Sequence, residues 1–264
     1  MRLDESQLSE YQERGYLFFA GLLDATEVVA LQAEVPELLR RHGPEVVRER
    51  EEDEAARLVF GAHALSEPFR QLSLLPRILL PCRQLLDDDV YLHQSRLNPK
   101  QGFGAGASWD WHQDYPPWQK VDGMPQPRCV MAAVFIDDCT PVTSPLLVVP
   151  GSHRHGLMDS SVHPDTVGRG YDLMQIDQET LTALATDNGI EPLLGPAGSV
   201  CLINCNLVHG SATNVSPWRR AIMYLIYNAV SNACVGEQRD WYHHNRDATP
   251  LQPISDNSLR PTAA

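Results

Sequence analysis

The sequence predicts an α+β fold that is mainly β, a double-stranded jelly roll supported by helices at its N-terminal end. Three observations predict it. Helical periodicity is gathered at the front of the chain, with one further helix near residue 180. Behind it come short apolar runs bounded by turn residues, the spacing of an antiparallel sandwich rather than of alternating βαβ units. Composition shows no shift that would mark a linker, so 264 residues read as a single domain, 1–264.

Taken in order, Asp4 and Gln7 form a capping pair ahead of a short helix that Gly15 ends. Tyr16 to Phe19 is a strand. Asp24 with Glu27 repeats the capping signal, and Val28, Val29, Leu31, Val35 and Leu38 give the next helix an apolar face interrupted at Pro36. Glu45 to Arg57 carries dense charge of both signs and reads as a solvated helix or a mobile loop. Val59 to His63 is a short apolar run, and Pro68 to Leu86 is helical, with Pro76 and Pro81 as breaks or first-turn residues. Val90 to Asn98 has strand character and leads through a Gly-rich loop, Gly102 to Gly106, to Trp109–His112. Tyr115-Pro116-Pro117-Trp118 must then be a loop, because consecutive prolines cannot continue a sheet. Cys129 to Ile136 and Leu146 to Val149 are buried strands, and Arg154 to about Asn188 is an excursion with a helix over Gln178 to Thr186. Strand character returns at Glu191–Leu194, Ser199–Cys205 and Ala221–Asn228, before a polar tail in which Trp241 to Asp247 is a packing or lid segment.

The formal net charge of −13 and pI near 5.1 disfavour nucleic acid and anionic membranes, which would repel such a surface. The N-terminus lacks the basic and apolar regions of a signal peptide, and no apolar run is long enough to span a bilayer. These features lead to the expectation of a soluble cytoplasmic protein, monomer or homodimer, with a small-molecule substrate. Six scattered cysteines make no disulfide framework. Cys201, Cys205 and His209 share strand parity, but zinc sites use tighter paired spacings, so the thiols read as small buried apolar residues.

The chemistry is concentrated in Trp111-His112-Gln113-Asp114-Tyr115, at the end of a strand. Residues i and i+2 of a strand share a side, so His112 and Asp114 can hold one metal while Gln113 points away. The best third ligand is His209, far along the chain but again beside an apolar run. Two histidines and a carboxylate form the facial set of non-haem Fe(II), which leaves positions open for co-substrate and dioxygen. The triplet alone is short enough to arise by chance. What raises it is Arg219-Arg220, ten and eleven residues after His209 and just before a strong strand, since a guanidinium grips a carboxylate through two parallel hydrogen bonds. Parity points the two arginines in opposite directions, so only one of them faces the metal.

Five stretches now carry a resemblance: His93-Gln94-Ser95-Arg96-Leu97-Asn98, Trp111 to Trp118, Asp122-Gly-Met-Pro125 with Arg128, Val149-Pro-Gly-Ser-His153, and His209 through Arg220. Together they resemble the phytanoyl-CoA dioxygenase superfamily of Fe(II)/2-oxoglutarate oxygenases, and within it the bacterial branch of ectoine hydroxylase and free aliphatic amino-acid hydroxylases. The resemblance implies a cupin-like jelly roll with His112, Asp114 and His209 as iron ligands. It further implies that Arg220 anchors the distal carboxylate of 2-oxoglutarate with Ser211 assisting, and that Gln94 and Asn98 bind the co-substrate from the opposing strand. Phe60, Trp118, Ile203 and Tyr224 fall where ectoine hydroxylase lines its substrate pocket, and His63, Arg96 and Arg128 are candidate partners for a substrate carboxylate.

The implied reaction consumes O2 and 2-oxoglutarate, releases succinate and CO2, and hydroxylates an unactivated C–H of a small amino acid or derivative. Related halogenases carry a small residue at the position of Asp114, so the carboxylate favours hydroxylation, although desaturation and epoxidation use the same ligands. Pro116-Pro117 stands where ectoine hydroxylases carry Glu-Thr, which argues against ectoine itself. The alternatives are a tailoring oxygenase of another natural product and a non-catalytic cupin-like binding protein.

Overall fold

A computed structural model describes residues 1–50, 54–166, 171 and 173–260. Helix α1 (Glu5–Arg14) opens with a reciprocal capping box between Asp4 and Gln7, and strand β1 (Tyr16–Phe19) follows it. Helix α2 (Ala25–Arg40) is capped the same way by Asp24 and Glu27. It runs through Pro36 rather than stopping there. The proline lies on the solvent face, where water can take the carbonyl it frees, while Leu31 and Val35 anchor the opposite face in the core.

The charged segment is not a solvated helix or loop in its described part. It forms a hairpin of β2 (Val46–Arg48) and β3 (Ala56–Phe60), residues 51–53 lying outside the described set. Two of its charges meet across the hairpin: buried Arg57 bonds Glu49 at 2.9 Å and also Ser108 O at 2.7 Å, with its guanidinium carbon 3.9 Å from the Trp109 ring centroid. Three short helices follow, α3 (Ala62–Leu65), α4 (Glu67–Leu72) and α5 (Pro76–Leu86), so the predicted Pro68–Leu86 helix is broken ahead of Pro76 and continuous through Pro81.

The remaining strands are β4 (Val90–Lys100), β5 (Trp109–His112), β6 (Cys129–Phe135), β7 (Leu146–Val148), β8 (Ser160–Val162), β9 (Met174–Ile176), β10 (Glu191–Leu193), β11 (Val200–Asn204), β12 (His209–Ser211) and β13 (Arg220–Ala229). Helix α6 (Gln178–Asn188) precedes β10. Strands β8 and β9 lie inside the stretch expected to be an excursion, where residues 167–170 and 172 fall outside the described set. Tyr115–Pro117 is a single helical turn rather than a loop, with the prolines in its first turn, where no intrahelical N–H is needed.

The strands form two antiparallel sheets, β1-β11-β6-β13-β4-β3-β2 and β10-β7-β12-β5-β9-β8. The helices cover the outer face of the first sheet, where Leu31, Val35, Phe69 and Ile78 meet Val130, Val134, Met223 and Leu225. Its inner face carries the alternate residues Met131, Ala133, Phe135, Ile222, Tyr224 and Ile226 toward the second sheet. Because both faces are covered, β6 is buried at every position and reads in sequence as a continuous apolar run. The same alternation sends Gln94, Arg96, Asn98 and Lys100 of β4 inward, opposite Ile226, Tyr224, Ile222 and Arg220 of β13.

Candidate active site

Within the second sheet, β5 and β12 pair directly at His112 and His209, which brings the two imidazoles to a centroid separation of 4.2 Å. The strand ends at His112, and Asp114 already has helical dihedrals, φ −81° and ψ −25°. The turn is held by Cys205, whose carbonyl accepts from the N–H groups of Asp114 and Tyr115, both at 3.2 Å. Gln113 points the other way and donates to Gly156 O and Asn206 O at 2.8 Å. His112 Nε2 lies 3.8 Å from Asp114 Oδ1, and His209 Nε2 lies 3.6 Å from Asp114 Oδ2.

This donor set fits a ferrous ion. Each imidazole uses Nδ1 on a carbonyl two residues back, His112 on Asp110 O at 2.6 Å and His209 on Leu207 O at 2.9 Å. That bond makes Nδ1 the protonated nitrogen and leaves the Nε2 lone pair facing the carboxylate, the outer-shell arrangement of metal-ligating histidines. The potential ligand atoms of the three residues lie within 4.8 Å of one another, and all three residues are buried. Burial, with His209 adding to it, pushes the His112 pKa down to about 3, so its ring is a neutral donor at physiological pH. Burial would raise the Asp114 carboxyl, but Arg96, His209 and His112 together outweigh it and the pKa falls to about 2.

Two cavities meet at this cluster and share Leu58, Arg96, Trp109 and His112. The first is walled by Asn98, Leu146, His209, Ser211, Arg220 and Tyr224. Arg220, 1% exposed, donates from Nε to Ser144 O at 3.0 Å and approaches Asn98 Oδ1 at 3.4 Å. Ser144 presents that carbonyl from the left-handed region, at φ 63°. Lys100, the cross-strand partner of Arg220, is buried beside it and donates to Ala212 O; burial and the Arg220 charge push its pKa down to about 6. The second cavity is walled by Phe60, Gln94, Asp114, Pro117, Trp118, Leu173, Arg239 and His243 among others.

Residues 11–222 match the phytanoyl-CoA dioxygenase (PhyH) family. The chain belongs to this family. Within the phytanoyl-CoA dioxygenases it is similar to an ectoine dioxygenase of Bordetella bronchiseptica, 36% identical over 239 residues that cover 87% of this chain and 77% of the relative. It is also similar to an L-proline trans-4-hydroxylase of Streptomyces griseoviridis, 33% identical over 258 residues covering 94% and 95%. Among solved structures, EctD from S. alaskensis with bound Fe superposes with a TM-score of 0.82 at 33% identity, covering 96% of this chain and 87% of that one. The same protein with 2-oxoglutarate and 5-hydroxyectoine gives 0.80 at 33%, covering 98% and 88%. These phytanoyl-CoA dioxygenase structures share the jelly-roll fold expected from the sequence.

Against that fold the expected site residues divide. His112, Asp114 and His209 converge, and Asn98, Ser211 and Arg220 gather in the first cavity with Tyr224. Gln94 does not join them: it lines the second cavity with Phe60 and Trp118 and donates to His243 O. Four residues at about 3.3 Å each separate it from Asn98 along β4, which puts it on the other side of the cluster.

Three residues expected at the substrate lie elsewhere. His63 sits on the helix-covered face, its Nδ1 2.6 Å from Ser95 Oγ. Arg128 is engaged by Ser231 at 2.7 Å, Leu86 O at 3.0 Å and Asp88 at 3.3 Å. Ile203 is a core residue packed between β1 and β6.

Sequence reasoning missed Lys100, Arg239 and His243. Lys100 continues the parity of Gln94, Arg96 and Asn98 and could have been read from it. Arg239 and His243 come from the tail, which is latched by the buried Asp122. Arg239 forks onto its carboxylate at 2.6 and 2.7 Å, while His244 at 2.8 Å and His93 at 3.2 Å close on it from either side. Among the described residues no helix is long and apolar enough to cross a membrane.

Proposed function

We propose that this chain, acting as one catalytic domain, is an Fe(II)- and 2-oxoglutarate-dependent dioxygenase that hydroxylates a small amino acid or amino-acid derivative. The observation that carries the reading is the convergence of His112, Asp114 and His209 at the junction of two cavities, one of them ending in a buried arginine. In this reading the three side chains hold the iron. Arg220 clasps the distal carboxylate of 2-oxoglutarate, Ser211 and Asn98 bond it from the flanking strands, and Lys100 adds positive charge beneath. When bound, the ferrous ion and keto acid supply the activation of dioxygen, with succinate and CO2 as co-products.

The protein's own part is geometric. Phe60 and Trp118 wall the second cavity with apolar surface that keeps water from the reacting C–H. Gln94 fixes its amide by donating to His243 O, which turns a buried and unpartnered Oε1 toward a donor on the substrate. Arg239, its orientation set by Asp122, offers a cation to a substrate carboxylate. A carboxylate and an ammonium on one small molecule satisfy both groups, which favours an amino acid. Pro117 in that wall supplies no hydrogen-bond donor, in keeping with a substrate other than ectoine.

The test is turnover by purified protein with Fe(II), 2-oxoglutarate and a panel that includes L-proline, L-leucine and ectoine. A gain of one oxygen by mass spectrometry, matched by succinate, is expected for at least one amino acid, and Asp114→Ala abolishes both. Failure to bind 2-oxoglutarate anaerobically in the presence of Mn(II) would refute the oxygenase and leave a cupin-like binding protein.

A further inference from the structure

Among the described residues four arginines, Arg70, Arg219, Arg239 and Arg96, bond both oxygens of one carboxylate, and the last does so differently. Arg70 forks onto Glu67 through Nε and Nη2. Arg219 grips Asp137 through Nε and Nη2, one nitrogen to each oxygen, at 2.7 and 2.9 Å. Arg239 grips Asp122 in the same forked way. Arg96 instead places a single nitrogen, Nη2, 2.7 Å from both oxygens of Asp114. Equal distances put that nitrogen on the plane that bisects the O–O line, the plane in which a cation chelating both oxygens also lies. Arg96 stands between Phe60 on β3 and Tyr224 on β13, its guanidinium carbon 5.4 Å from the Tyr224 ring centroid, with Met131 Sδ 3.6 Å from Nη2.

We propose that Arg96 is a positioning residue for Asp114, holding it to metal ligation through one oxygen. This rests on the reading of His112, Asp114 and His209 as iron ligands. Each carboxylate oxygen faces a different imidazole, Oδ1 toward His112 and Oδ2 toward His209. With Nη2 on that bisecting plane and bonded to both oxygens, an ion held by both imidazoles shares the carboxylate with Arg96 and takes one oxygen of it. Ligation through one oxygen preserves the three open positions of the facial set, whereas a chelating carboxylate closes one that the keto acid and dioxygen need. The guanidinium also repels the dication it faces. Arg96 therefore lowers metal affinity while keeping the ion's coordination open.

The experiment uses the full-length metal-free protein and needs no substrate. Mn(II) is titrated into wild type, Arg96→Met and Arg96→Lys by calorimetry, with circular dichroism as the check on folding, and Co(II) absorption reports coordination number. Wild type is expected to take up one Mn(II) per chain. Arg96→Met, freed of the competing cation and able to offer both oxygens, binds at least about tenfold more tightly, and its Co(II) visible bands weaken as the coordination number rises. Arg96→Lys keeps the charge but not the equidistant nitrogen and falls between the two, which serves as the measurement should the methionine variant not fold. Unchanged or weaker Mn(II) affinity in a folded variant overturns the role of Arg96 alone. Absence of Mn(II) binding by wild type brings down the metal reading itself, and this proposal with it.

Discussion

Replacing Arg220 by methionine should move stability and co-substrate affinity in opposite directions. Arg220 is 1% exposed, yet its guanidinium bonds only neutral acceptors and has no ion-pair partner among the described residues. Lys100 on the same face offers it no counter-charge, since burial and Arg220 itself push the Lys100 pKa down to about 6. An uncompensated buried charge costs several kcal/mol even after relaxation, and hydrogen bonds to a charged donor return about 1.5–3 each. Methionine retains much of the buried stem volume without the charge, so Arg220→Met should stabilise the ligand-free protein by about 1–3 kcal/mol. For a domain of this size that is a rise in Tm of about 2–6 °C. Losing one side of a buried charge-assisted pair with 2-oxoglutarate costs about 2–5 kcal/mol, a loss of affinity of roughly 30-fold to several thousand-fold. Scanning fluorimetry with and without 2-oxoglutarate, together with calorimetric titration in the presence of Mn(II), reads both effects. A variant that melts well below wild type and still gains stability from 2-oxoglutarate would refute the assignment, because it would make Arg220 a structural residue rather than a charge held for a ligand.

The tail latch makes a second prediction. Burial alone would raise the Asp122 carboxyl, but His244, His93 and Arg239 outweigh it and hold it far below the carboxylate range. A depressed folded pKa means that the stability it contributes is complete above the unfolded value of about 3.9 and is lost as pH falls below it. Asp122→Asn should cost about 3–5 kcal/mol, open the tail beyond Val235 to proteolysis and raise the substrate KM, with Mn(II) affinity unchanged; an intact tail on limited proteolysis would contradict the latch. For Lys100, the folded pKa of about 6 lies below the unfolded 10.5, so the folded state binds fewer protons between these values and stability rises with pH across that window. A dianion beside Lys100 favours its protonated form, so the Kd for 2-oxoglutarate should rise from pH 6 to pH 8, and Lys100→Met should flatten the profile; a slope that survives the substitution would place the titrating group elsewhere.

Sequence pattern reveals which side of an element faces inward far better than it reveals how far along the element a residue sits. Parity says that Arg219 and Arg220 face opposite sides without saying which faces the metal, and the structure puts Arg220 inside the cavity while Arg219 forks onto Asp137. The same parity puts Gln94 and Asn98 on one face of β4 and cannot say that the metal cluster divides them, because that follows from where β5 crosses the sheet. His63 and Arg128 resemble site residues by type, and only the fold shows that one is on the helix side and the other among polar partners on a distant loop. The densely charged Glu45–Arg57 segment misleads for a related reason: charge suggests solvent, but Arg57 and Glu49 are both buried and neutralise each other across the hairpin. Most hidden is Arg239, which reaches the second cavity through a pair with Asp122 spanning 117 positions of sequence. No local spacing encodes such a pair: Asp122 ends the turn Trp118-Gln119-Lys120-Val121-Asp122, yet its carboxylate meets Arg239, His244 and His93 from elsewhere in the chain. A buried carboxylate without a local partner is therefore itself a signal that a distant segment returns to cover it, here the tail that walls the proposed substrate site.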